Sequence, residues 1–257
     1  MTDYVRVAAD GGVLTVTLNR ADKKNALNNA MYGALADALA RAETDTAIRV
    51  VLIESEGPDF TTGNDLGDFA AVAAGTLRRE DMNSGKFLAA LARADKPLVA
   101  AVPGLAVGVG VTMLLHCDLS FVAEDAKLST PFCNLGLVPE AASSLLLQAR
   151  IGYAHAYKMF ALGEAMDGKT AAQIGLVTAA VPMAEVRATA LAAAKKLAAK
   201  PIGALRATKR LMRDAQLIQA TMNKEGEIFG ARLQTPEAAE AFKAFAERRA
   251  PDFSRFS

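Results

Sequence analysis

From Pro97 to Leu115 the chain carries no charged residue. A run of that length is able to cross a bilayer as a helix. Pro97, Pro103, Gly104, Gly108 and Gly110 punctuate it, however, and a helix would break at Pro103. The segment therefore reads as a buried strand over 98–102, a glycine turn, and a helix from Val109 to His116. That unit sets the expectation for the rest of the chain.

Similar units flank it. Leu14, Val16 and Leu18 alternate with threonines in Val13–Asn19, the pattern of a half-buried strand. A helix is expected from Asn28, with Asn28 as its cap and Met31, Leu35, Ala38, Leu39 and Ala42 on one face. Val50–Glu54 is a short apolar strand, closed by Gly57-Pro58. Phe60–Leu66 then leads into another helical stretch, and Leu119–Val122 reads as a strand. Strands alternating with helices indicate an α/β domain. After about Ala184 the pattern changes to Ala-, Lys- and Arg-rich helical segments at Ala190–Ala199, Ile202–Met212 and Pro236–Arg248. We divide the chain into a core, 1–199, and a helical region, 200–257. The latter is too thin to hold a core alone, so it is expected to pack on the main body or on a neighbouring subunit.

Charge and cysteine content narrow the function. In 257 residues, 29 Lys and Arg face 28 Asp and Glu, and hydrophobic residues make up 52%. Such a chain holds a substantial core. Its balanced charge gives no reason to expect nucleic acid or an anionic membrane surface. Two cysteines make no disulfide framework, which fits a reducing cytoplasm. The N-terminus lacks the basic-then-apolar pattern of a secretion signal. Cys117 and Cys133 lack metal-ligand spacing and read as core thiols, and His116 and His155 read as structural. No metal site is expected.

Three segments are able to carry chemistry. Gly104-Leu-Ala-Val-Gly108-Val-Gly110 joins a strand to a helix; it serves either tight packing or the presentation of unpaired backbone N–H groups to developing negative charge. Phe60-Thr-Thr-Gly-Asn-Asp-Leu66 is a second such turn, in which Asn64 or Asp65 is either a helix cap or part of a ligand-facing loop. Two turns that each aim an N–H at one oxygen make an oxyanion hole. In the third segment Glu140 follows Pro139 and precedes a helix expected to begin at Ala141. It is either a first-turn glutamate that suits the helix dipole or a general base raised in pKa by apolar surroundings.

These segments, in this order, resemble the crotonase (enoyl-CoA hydratase/isomerase) superfamily. Leu18-Asn-Arg-Ala-Asp-Lys-Lys-Asn-Ala-Leu27 is similar to the family's adenine-side coenzyme A loop. Lys96–Gly104, Cys117-Asp118, the Thr170–Val177 segment and the stretch Ala241–Phe253 extend the similarity over nearly the whole chain. The resemblance implies a spiral of strand-strand-helix turns with a C-terminal helical trimerisation region, assembled as a homotrimer or a dimer of trimers. It implies an acyl-CoA thioester substrate whose carbonyl becomes an enolate held by the backbone N–H groups of Asn64 and Val109. Coenzyme A is then part of the substrate, and no other cofactor is implied. Carried over by position, the CoA and substrate contacts are Lys24, Ala26, Leu27, Thr62, Gly63, Asp65, Leu66, Gly108 and Phe132, with Phe245 and Arg248 from the terminal helix.

The departures matter as much. Hydratases of the family place glutamates where this chain has Thr112 and Phe132. Pro-Glu-Ala-Ala-Ser-Ser at 139–144 looks instead like the peroxisomal-type Δ3,Δ2-enoyl-CoA isomerases, whose base is the glutamate after that proline. Isomerisation with Glu140 as sole acid and base is the activity this implies. The alternatives are hydration, thioester hydrolysis, or an acyl-CoA-binding protein without turnover.

Overall fold

The computed structural model describes residues 2–65, 67–68 and 78–256. Its large sheet has six strands: β1 (Val5–Asp10), β2 (Val13–Leu18), β3 (Val50–Ser55), β4 (Leu98–Val102), β6 (Leu119–Ala123) and β9 (Ala179–Val181), in that spatial order. The first pair is antiparallel and every later pair parallel. The β1–β2 hairpin turns through Gly11 and Gly12, both at positive φ, the backbone a two-residue hairpin loop demands.

Strand β2 was expected to be half-buried. It is covered on both faces, Thr17 included, because β1 and β3 flank it and helices pack over the sheet. Parallel strands β3 and β4 are buried almost throughout, as their unbroken apolar sequences require.

A second, smaller sheet holds β5 (Leu105–Val107), β7 (Lys127–Ser129) and β8 (Met166–Asp167). The chain leaves β4 for β5 and β6 for β7, so successive turns place one strand in each sheet. Two isolated bridges, Thr61 to Ala106 and Leu27 to Asn64, continue the small layer toward the N-terminal turns. This is the crotonase spiral, and the uncharged run supplies one full turn of it: β4, β5 and a short helix α3 (Val109–Thr112) that tightens into a 3-10 turn over Met113–His116.

Helix α1 (Asn29–Thr44) begins as expected, Asn28 accepting the Met31 N–H at 2.9 Å. It packs on α2 (Ser84–Arg93), with the Tyr32 and Phe87 rings 5.8 Å apart. The helix expected after Leu66 lies outside the described residues beyond Gly67 and Asp68. The chain also forms α4 (Ser143–Ile151), α5 (Tyr153–Leu162), α6 (Gly168–Gln173) and α7 (Val186–Ala198), which lies across β3, β4 and β6.

The C-terminal helices are α8 (Ile202–Met212), α9 (Ala215–Arg232) and α10 (Pro236–Ala246). All three pack on the body of the chain. Lys209 on α8 donates to the Asp118 carboxylate at 2.8 Å and to the Lys96 carbonyl at 3.0 Å, while Arg206 and Arg210 clasp Asp95. Ile218 of α9 meets Ala92 and Ala142, and Ala238 of α10 meets Phe132 and Leu137.

Two sequence expectations are corrected here. Cys133 is exposed, unlike the buried Cys117, because it begins a surface turn over Cys133–Leu135. The helix at Pro236 ends at Ala246, two residues before Arg248 enters the left-handed region at φ 54°. Among the described residues no helix is long and apolar enough to cross a membrane.

One buried cation ties α1 to the sheet. Lys96, 4% exposed, donates to the carbonyls of Ala42, Asp45 and Ile48, where α1 leaves its last turn. Without it, the Ala42 and Ile48 oxygens would lose this partner, and Asp45 would keep only the Ile48 N–H, at 3.1 Å. Lys96→Met should lower unfolding stability by roughly 3 kcal/mol, read from urea denaturation; a change below about 1 kcal/mol would contradict this role.

Candidate active site

Three backbone segments form the site, and a buried asparagine knots the first of them. Lys24 and Asn25 lie at positive φ, a conformation in which asparagine is common. The Asn25 side chain accepts the Arg20 N–H at 2.8 Å and donates to the Glu56 and Asp59 carbonyls, each at 2.9 Å. So anchored, Leu27 N–H donates to the Gly63 carbonyl at 2.8 Å, and the Leu27 carbonyl accepts Asp65 N–H at 2.9 Å. In that parallel bridge the residue between the two contacts, Asn64, turns its own N–H to the opposite edge.

The second contact joins this loop to β5. Thr61 N–H donates to Leu105, and Val107 N–H returns to Thr61. Gly63, at φ 87°, is pressed so closely there that an added Cβ would stand 2.8 Å from the Val107 carbonyl. Gly108, at φ 56°, then donates to the Ser129 carbonyl at 2.9 Å and turns the chain into α3. Val109 is the first residue of that helix, so its N–H has no carbonyl a turn earlier to reach. Among the described residues, neither Asn64 N–H nor Val109 N–H has an acceptor.

Both residues border one cavity of about 580 Å³. Of the residues singled out from sequence, Ala26, Thr62, Gly63, Asp65, Gly108, Phe132 and Phe245 border it as well. Partial burial alone would raise the Asp65 carboxyl; its bond to Arg20 at 2.6 Å and the Gly67 N–H outweigh that and hold it below its ordinary value. Lys24 and Leu27 are not on the wall. Their carbonyls instead receive Thr62 N–H and Asp65 N–H, and Leu27 is fully buried. Leu66 lies outside the described residues. Arg248 is exposed and away from the cavity, because the left-handed turn at that residue brings Arg249 to the wall.

Sequence reasoning passed over Lys23 and Arg249, the cations bordering the cavity, and Tyr32. The Tyr32 hydroxyl donates to the Asn64 side-chain oxygen, which fixes the Asn64 side chain from α1.

Glu140 is not in the first turn of a helix, which corrects the expected start at Ala141. Ala141 and Ala142 take positive φ, 61° and 56°, and α4 begins only at Ser143. Glu140 does not border the 580 Å³ cavity itself. The Thr112 hydroxyl donates to its carboxylate at 2.5 Å. Thr112 closes the helical turn that Val109 opens, and Tyr32 feels the Glu140 charge from the Asn64 side. Glu140 is thus bracketed by the neighbours of both unpaired N–H groups. Burial pushes its pKa up to about 7; the Thr112 hydrogen bond opposes the rise and the Glu225 charge adds to it.

The family profile described as enoyl-CoA hydratase/isomerase matches residues 8–255. The chain belongs to the enoyl-CoA hydratase/isomerase family. It is an acyl-CoA enzyme with the crotonase fold of that family. It is similar to the 2,3-dehydroadipyl-CoA hydratase of Escherichia coli, 36% identical over 94% of each chain. It is also similar to enoyl-CoA delta isomerase 2 of Rattus norvegicus, 31% identical over 95% of this chain and 64% of the rat protein. A crystal structure of an enoyl-CoA hydratase/isomerase from Pseudoalteromonas atlantica superimposes with a TM-score of 0.92 at 40% identity, covering 98% of this chain and all of that one.

The raised pKa of Glu140 has a consequence for stability. The ordinary value for a glutamate is 4.5, so between about pH 4.5 and 7 the folded protein holds a proton that the unfolded chain releases. Stability from this group therefore falls as pH rises through that window and is level above it, a change of about 3 kcal/mol. Glu140→Gln should gain on the parent by up to that amount between pH 4.5 and 8, measured by urea denaturation. An identical difference at both pH values would contradict the raised pKa.

Proposed function

We propose that the protein is a Δ3,Δ2-enoyl-CoA isomerase of fatty-acid metabolism, with Glu140 as its single acid and base. The observation that carries this reading is the placement of Glu140. It is a carboxylate raised to about pKa 7, bonded to the helical turn whose first N–H is unpaired, in a chain with Thr112 and Phe132 where hydratases carry glutamates.

The chemistry follows from that inventory. The Glu140 carboxylate takes a proton from C2 of a 3-enoyl thioester. The C–H electrons move onto the thioester carbonyl, giving a dienolate whose oxygen accepts hydrogen bonds from Asn64 N–H and Val109 N–H. Each such donor contributes about 3 kcal/mol to the transition state. The protonated Glu140 then returns its proton at C4, the oxyanion electrons fall back, and the double bond stands at C2. Both carbons lie on one side of the bound chain, so one base serves both steps. No electron is exchanged with a cofactor and no metal is required.

The coenzyme A portion is assigned to the backbone near Lys24, Ala26 and Leu27, to Thr62, and to Phe245. Lys23 borders the cavity and takes the anion-facing role that the resemblance gave Arg248; Arg249 also borders it, paired with Glu240 and Glu247. Assembly as a trimer or a dimer of trimers belongs to the same reading, supported by the exposed Leu211 and Met212 at the end of α8, 89% and 83% accessible. So does a cytoplasmic location. Hydration is the second reading, favoured by the similarity to the E. coli hydratase.

Purified protein mixed with 3-trans-hexenoyl-CoA should yield 2-enoyl-CoA promptly, followed by chromatography. Crotonyl-CoA should go unhydrated, and Glu140→Gln should lose about 10²–10⁴-fold in rate while retaining binding of the ester. Rapid hydration of crotonyl-CoA would overturn the isomerase reading in favour of the second.

A further inference from the structure

The proposed base stands in a turn that is unfavourable on its own. Two consecutive alanines, Ala141 and Ala142, sit in the left-handed region, at a cost of about 1–2 kcal/mol each. Such a turn persists only where surrounding contacts over-determine it. Here the contacts come from α9 and from His116, which Arg213 backs.

Glu225 on α9 is 6% exposed, and its two carboxylate oxygens accept Ala142 N–H at 2.6 Å and Ser144 N–H at 2.8 Å. Among the described residues it has no ion-pair partner. A short polar residue at Ala142 would cap α4 locally without burying a charge. The chain instead brings a carboxylate from eighty residues away and bears its desolvation.

A second clamp holds the other side. His116 contacts the Ala141 carbonyl through Nε2 at 2.8 Å, and Arg213, just past α8, donates to His116 Nδ1. An acceptor at Nδ1 places the proton on Nε2, so the imidazole donates to Ala141. Burial, with Arg213 beside it, pushes the His116 pKa down to about 3, so the ring is neutral throughout the working range. The groups facing Glu140 are Thr112 from α3, Tyr32 from α1 and Glu225 from α9; the neutral His116 meets the turn and not the carboxylate.

We propose that Glu225 is a positioning residue for the Glu140 base: it fixes the left-handed Ala141–Ala142 turn through two backbone N–H groups and presents a negative charge to Glu140. A helix of the C-terminal region thereby sets where the base stands and which field it works in. This rests on Glu140 being the base, as argued above. Burial raises the Glu225 carboxyl too, against the opposing hydrogen bonds from Ser144 and Ala142. Once ionised, its charge favours the protonated form of Glu140, which keeps that group able to return a proton at C4 as well as to take one at C2.

The test is steady-state kinetics on 3-trans-hexenoyl-CoA across pH 5–9, for the parent, Glu225→Gln, Glu225→Asp and Glu225→Ala, with Glu140→Gln as control. Glu225→Gln keeps the shape and loses the charge. Its rising limb of kcat/KM should move to lower pH than the parent's, with kcat down about 10-fold to 100-fold and KM little changed. Glu225→Asp keeps the charge, so its limb should stay near the parent position while kcat falls. Glu225→Ala should shift the limb as the Gln variant does. An unmoved limb in Glu225→Gln overturns the proposal, as do parental kcat values in all three variants. Loss of the folded state in all three, read by circular dichroism, also overturns it, since that shows a purely structural role. Should Glu140→Gln retain turnover, the isomerase reading itself falls; an inactive Glu140→Gln beside unaffected Glu225 variants removes this inference alone.

Discussion

The site depends on a line of backbone hydrogen bonds between successive turns of the spiral. Leu27 is bonded between Gly63 and Asp65, and Thr61 between Leu105 and Val107. These pairings decide which peptide groups are spent on structure and which are left over. Asn64 N–H is left over because its neighbours do the pairing, and Val109 N–H because a helix begins there. A donor left unpaired by architecture needs no side chain to aim it. Gly63 approaches Val107 too closely for a Cβ, and the positive φ of Gly108 is a backbone that glycine takes without strain.

The carboxylate is held by a different logic. The two donors belong to the core of the spiral, but the turn bearing Glu140 is fastened by Glu225 and, through His116, by Arg213. Glu225 lies on α9 and Arg213 in the link between α8 and α9, and α8 is itself locked to the body through Lys209, Arg206 and Arg210. The near-neutral charge of the chain fits this arrangement. Individual buried ions do specific work, and two cations, Lys23 and Arg249, border the cavity.

Much of the fold was legible where a local pattern had a single physical meaning. The uncharged run gave its strand and helix start as expected, but the stretch read as a glycine turn also holds the short strand β5, while Ile202–Met212 formed a helix over the expected span. The β1–β2 hairpin was missed although Asp10-Gly11-Gly12 is a turn signal, because the strand before it exposes most of its residues. Helix α9 was missed since its Gln, Asn, Lys, Glu and Gly residues give little amphipathic contrast. At the site, backbone roles were readable only through resemblance, as any residue type can supply an N–H. The first-turn reading of Glu140 failed because two left-handed alanines carry no sequence signature. Glu225 could not be found at all, since its partners are backbone groups far away in the chain.

In the proposed isomerisation one carboxylate moves the same proton off C2 and onto C4. The direct measurement is the reaction of 3-hexenoyl-CoA deuterated at C2, in light water, with the product analysed by mass and nuclear magnetic resonance spectroscopy. Part of the deuterium lost from C2 should be recovered at C4. Turnover with no deuterium at C4 under any condition would contradict a single shuttling base at Glu140.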